Sequence, residues 1–223
     1  MRRNISPRTT SSVLLQLSLA VIIPGALAGQ APADSGAFFI RHGRDTVATE
    51  HFLRTATKLE GTLTIRKTPA TSEHYAAVVA PDATVPLIEI TVREGSDSGT
   101  ARARILQRGR VIFKEDSAAV DEVGRAGLVT RVLGTELGAI PYLNLSFALL
   151  EQARRRARAD HNAQSVPSFN LAGGQTLTAL IGPLGTDSVR LDIGDTRFHL
   201  RVDGQGRVLG ARIPAQDVTV ERR

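Results

Sequence analysis

The 223-residue chain contains no cysteine and no tryptophan, a single methionine, and only nine aromatic residues, seven Phe and two Tyr. Without cysteine there can be no disulfide, thiolate metal site, cysteine nucleophile or lipid-modified N-terminal cysteine. So few aromatic rings leave little with which to stack bases or build a sugar platform. Lysine is nearly absent as well: Lys58, Lys67 and Lys114 are the only three, and every other cation is an arginine. No run of apolar residues is long enough to span a bilayer comfortably. His42, His51, His74, His161 and His199 show neither H-x-H nor H-E-x-x-H spacing, so no metal or other cofactor is expected.

What the N-terminus does contain is the pattern of an export signal. Arg2, Arg3 and Arg8 precede the apolar run Val13–Ile23, and Ala26-Leu27-Ala28 has the small residues of a cleavage site. The expected division is a signal peptide over 1–28, a flexible mature N-terminus over 29–35, and one β-rich domain over 36–223. Three of the 28 basic residues and none of the 22 acidic ones lie in that leader, so the remainder carries 25 against 22, a charge of +3. That is too mild for a nucleic-acid partner. The expected location is periplasmic or secreted, with no membrane span in the mature chain.

Alternation of apolar and polar residues dominates the mature chain. Leu87–Arg93 turns Ile88, Ile90 and Val92 one way and Glu89, Thr91 and Arg93 the other. The same period recurs in 62–66, 190–193, 197–202 and 218–221. Turn-forming stretches at 95–99, 107–110, 194–195 and 203–206 are short enough to join antiparallel neighbours. One segment breaks the rhythm. From Pro141 onward, Tyr142, Leu145, Leu149 and Ala153 repeat at helical spacing, and Arg154, Arg155, Arg156 and Arg158 suit the negative end of a helix dipole. The spacing predicts a helix near 142–159, and a second helix or turn over 122–133.

Two short motifs invite a catalytic reading. Phe38-Phe39-Ile40-Arg41-His42-Gly43 resembles the strand-to-loop R-H-G of the histidine phosphatase superfamily, which would make His42 the nucleophile, Arg41 a phosphate clamp and His199 the second histidine. That superfamily alternates strands with helices, whereas here strand follows strand, and a hairpin turn accounts for the same residues. Gly95-Ser96-Asp97-Ser98-Gly99 contains the D-S-G of trypsin-like proteases, but no matching His and Asp motifs accompany it. An enzyme is therefore not expected.

The stretches 43–52 with 59–61, and 198–204 with 209–214, resemble uncharacterised exported bacterial β-rich proteins of unknown function. Their pattern is similar to the curled half-barrels of bacterial lipoprotein carriers. The resemblance implies a fold: a mainly β (α+β) protein, with a strongly curved antiparallel sheet or incomplete barrel and one amphipathic helix across its concave face. If the helix fills the concavity only in part, the remaining space would be lined by Ile88, Ile90, Val92, Leu145, Leu149, Val189, Leu191, Phe198 and Leu200. The function expected is a non-catalytic binding module for a lipophilic small molecule. The alternatives are an assembly domain that docks an envelope protein and, third, a phosphatase-like hydrolase using Arg41-His42-Gly43.

Overall fold

The computed structural model describes residues 33–95 and 103–223; the leader pattern, most of the expected flexible segment and the 96–99 part of the D-S-G loop lie outside them. Fifteen strands form one sheet. Its first half is a continuous meander: β1 (Asp34–His42), β2 (Asp45–Arg54), β3 (Lys58–Ile65), β4 (Thr71–Val78), β5 (Leu87–Glu94), β6 (Arg104–Phe113), β7 (Ser117–Gly124) and β8 (Gly127–Gly134). After β9 (Ile140–Tyr142) comes the helix α1 (Phe147–Ala159), followed by β10 (Ser165–Asn170), β11 (Thr176–Pro183), β12 (Ser188–Ile193), β13 (Thr196–Val202), β14 (Val208–Ile213) and β15 (Val218–Arg222). The last strand pairs with the first, Phe38 opposite Arg222 through His42 opposite Val218, which welds the halves into one sheet with β8 and β9 at its edges. The sheet is curved but not closed into a barrel.

The expectation of a wholly antiparallel sheet fails at one place, where β9 runs parallel to β10. A parallel pair requires a crossover, and α1 is that crossover. The helix also begins later than its apolar spacing indicates: Pro141 and Tyr142 belong to β9, and Leu145 takes a left-handed turn conformation with φ 65°. The start is set by Ser146, whose side chain accepts from the Leu149 N–H. Residues 122–133 form the β7–β8 hairpin rather than a helix. Residues 107–110, read as a turn, run straight through β6. Asp34 and Ser35, read as part of a flexible terminus, are already paired in β1.

The inward rows of the strands meet α1 in a core strung on aromatic rings. Phe52 stacks on Phe38 at 5.4 Å, Phe38 meets Phe147 of the helix at 5.8 Å, and Phe147 meets Phe198 at 6.3 Å. A charge is buried beside them. Glu50 of β2 is completely buried, and its carboxylate accepts four hydrogen bonds: from the Tyr75 hydroxyl (2.6 Å), the Ser146 hydroxyl (2.5 Å), and the Phe147 and Ala148 N–H groups (2.7 and 3.1 Å). The first N–H groups of a helix have no partner within it, and they carry partial positive charge. A sheet residue supplies what the helix lacks. Gly61 makes room for this arrangement, because a Cβ there would run into the Tyr75 hydroxyl.

Burial pushes the Glu50 carboxyl above its ordinary value of 4.5, and the four donors pull it back only in part. The folded protein therefore holds this proton more tightly than the unfolded chain, so the group's contribution is full below pH 4.5 and declines as pH rises through the folded value. Glu50→Ala should cost about 1–3 kcal/mol at neutral pH, because the Phe147 and Ala148 N–H groups and two hydroxyls lose their acceptor. Urea titrations across pH should show the wild-type advantage over this variant shrinking as pH rises from 4.5; an advantage that grows with pH contradicts the assignment. Gly61→Ala should lower stability by about 1–3 kcal/mol through overpacking, seen as a fall in the urea midpoint with no change in secondary structure.

Candidate functional site

The helix fills much of the sheet's concavity. Ile88, Leu149, Leu191, Phe198 and Leu200 are at most 1% exposed, so these five of the nine anticipated lining residues form dry core. Leu145 packs against that core from its turn. Val189 lines a separate groove beside Ala157 and Ile181, on the flank of the helix. Only Ile90 and Val92 of the nine come together at one opening.

That opening is a cavity of about 220 Å³ over the inner face of β4 to β7, roofed by Leu143, Leu171 and Ala172. Strand register arranges its floor in cross-strand rows. Val111 and Val120 lie opposite one another at the deep end, continuing the row of Ile88. Ile90, Gly109 and Glu122 form the next row, and Glu73, Val92 and Gln107 the outermost. The pocket thus grades from aliphatic depth to a polar mouth.

Gly109 accounts for the cavity in the middle row. It leaves the space between Ile90 and Glu122 without a side chain, and a Cβ placed there would meet nothing nearer than the Asp121 carbonyl at 4.0 Å. In the same row, Glu122 is held by Arg131 at 2.9 Å. Burial raises the Glu73 carboxyl above its ordinary value, with Lys67 opposing. A carboxyl that stays protonated more readily can donate a hydrogen bond as well as accept one.

Residues missed in the sequence reading carry much of this site. Gly109 was hidden because 107–110 looked like a turn, although a glycine inside an otherwise strand-like run signals a gap or a close approach; Val111 and Val120 lie in strands that no alternation had marked. A second group was also missed. Glu151 of α1, fully buried, accepts from the Val208 N–H at 2.7 Å and from Arg155 at 3.0 Å, and faces Arg54 at 3.4 Å and Arg222 at 3.3 Å. Asp34 pairs with Arg222 and lies 3.6 Å from Arg155. Apart from Arg155, one helical turn along α1, these partners come from β1, β2, β14 and β15, so no local pattern announces them.

The histidines do not assemble into a pair. His42 ends β1, where Gly43 turns the chain with φ 56°, and His199 lies mid-strand in β13. Arg41 and His199 share a row that runs through Thr219 and Arg212, three inter-strand steps of about 4.8 Å and so about 14 Å apart. His42 is one residue along β1 from Arg41, opposite Val218, so its side chain leaves the other face of the sheet from the row that holds His199, and the two imidazoles do not face one phosphoryl group. Among the described residues, no group of three His, Asp or Glu side chains is placed to hold a metal ion.

No family model and no curated protein matches the sequence. Among solved structures, the chain is similar to a DUF1089 family protein from Pseudomonas aeruginosa, with a TM-score of 0.52 and 12% identity over 78% of this chain and 92% of that one. At this identity the likeness establishes a common fold, that of an uncharacterised β-rich protein, and nothing about activity.

Proposed function

We propose that the protein is a non-catalytic binding module that takes the apolar part of a small lipophilic molecule into the cavity above Gly109. The single observation that supports this reading is the missing side chain at Gly109, beside Ile90 and Val92, where the space stays open, whereas Tyr75 occupies the space left at Gly61. Leu143 and Leu171 would cover the ligand's apolar body, while Glu73 and Gln107 would meet its polar end. The N-terminal arginines, apolar run and Ala26-Leu27-Ala28 support placing the module in the periplasm or outside the cell.

A second reading, a docking domain for an envelope protein, is favoured by β8. This edge strand leaves its outer main-chain groups unpaired and exposes Leu128 and Val132, 66% and 71% accessible, on its outer face. The two readings separate on one variant. The Cβ of Gly109→Leu meets nothing nearer than 4.0 Å and its remaining atoms point into the cavity, and a side chain suits a strand better than glycine, so its melting temperature should match or exceed the wild type. A fluorescent fatty-acid probe should bind the wild-type protein at micromolar concentration and this variant at least tenfold more weakly. Equal binding by both, or binding by neither, removes the lipophilic-ligand reading.

A further inference from the structure

At the opposite end of β4 and β5 from the apolar cavity lies a pocket of about 320 Å³, far larger than a single water requires. Its walls are the β2–β3 turn at Thr55 and Ala56, Val79, Ala80, Pro81 and Ala83 of the β4–β5 loop, and the later turns of α1. Arg54, Arg155 and Arg158 line it, and no carboxylate does. The acids behind it are already committed. Glu151 is shared among Arg54, Arg155 and Arg222, and Asp34 between Arg155 and Arg222. Four guanidinium groups thus stand against two carboxylates, with Arg158 on the pocket wall paired with neither.

Arg54 is the unusual member. It is 5% exposed; Nη1 donates to the Gln152 side chain and Nη2 to the Ala148 carbonyl at 2.9 Å, while Nε is buried without a hydrogen-bond partner. A buried cation with an unused donor at the wall of an acid-free pocket carries a cost that a bound anion would relieve. Burial depresses the affinity of Arg54 and of neighbouring Arg154 for their protons; Glu151 opposes this at both, while Arg155 adds to it at the first and Arg158 at the second.

We propose that this pocket binds a phosphoryl oxyanion, with Arg158 and Arg155 as the accessible arms and Arg54 as the fixed base. Guanidinium groups match the oxygens of such an anion through paired N–H donors. The site is independent of the apolar cavity and stands or falls separately. Its anion could be a free phosphorylated solute or a lipid headgroup, and two arms of one experiment distinguish them.

Isothermal titration of the full chain with inorganic phosphate at constant ionic strength, and co-sedimentation with phosphatidylglycerol vesicles, should each be run on wild type and on Arg158→Gln. Arg158 is solvent-exposed and bonds only to the Gln205 carbonyl, so the variant should fold with an unchanged melting temperature. Saturable phosphate binding that weakens at least fivefold in the variant supports a site for a free phosphorylated ligand. Vesicle retention that is lost in the variant supports a headgroup site. Binding equal in both proteins, or absent in both arms, overturns the proposal. Arg158→Lys separates charge from shape: it should recover only part of the affinity if the planar fork matters.

Discussion

A carboxylate without access to water holds the helix to the sheet. Glu50 accepts two hydroxyl protons through one oxygen and two helix N–H groups through the other, which uses the full acceptor capacity of both. An aliphatic residue there would leave the first turn of α1 with orphan donors in a dry core. The helix bridges β9 to β10, and through Phe147 it completes the aromatic string from Phe52 to Phe198. Where α1 sits determines how much of the concavity is filled and how much is left at its two ends.

One turn further along, the roles of acid and partner are reversed. The helix presents Glu151 to the sheet, and Arg54, Arg222 and the Val208 N–H converge on it. Arg54 and Glu50 lie on the same inward row of β2, so one strand sends both a carboxylate and a guanidinium under the helix. Such buried ionic contacts add little net stability against an apolar substitute, yet they penalise any other placement heavily. They therefore fix the rotation and height of the helix more than they strengthen the fold. The excess of arginine over acid at this end is the residue of that arrangement.

The strands were legible because they are half-wet: Ile88, Ile90 and Val92 alternate with Glu89, Thr91 and Arg93, and the structure turns them inward as the period requires. The curved sheet with a single helix followed from the same pattern. Where both faces of an element are exposed, the pattern lapses. Edge strand β8 shows almost no burial, so the β7–β8 hairpin gave no alternation to read. Leu143 and Leu145 fall at helical spacing yet form the turn before Ser146, since apolar periodicity marks which residues are buried and a capping hydroxyl marks where the helix begins. The candidate site was half legible for a related reason. Ile90 and Val92 announce themselves as inward-facing, but whether an inward residue borders a void depends on what lies across from it. Across from Ile90 that is Gly109, on the neighbouring strand β6.

The pairing of β1 with β15 has a consequence for how the molecule assembles. Most ladders of the sheet join near neighbours in the chain, so hairpins can form locally and at small entropic expense. The ladder that welds the two halves links residues about 180 positions apart, as Arg41 and Glu221 do through their ion pair. Ordering so long an intervening segment is worthwhile only once its own hairpins exist. Until then the inner face of the first meander has no helix over it, and Glu50 has no donors from α1; the helix packs chiefly on β9, β10, β11 and β14 of its own half. Sequence separation therefore places the weld after the hairpins it joins, and it converts two curled ribbons into a single shell.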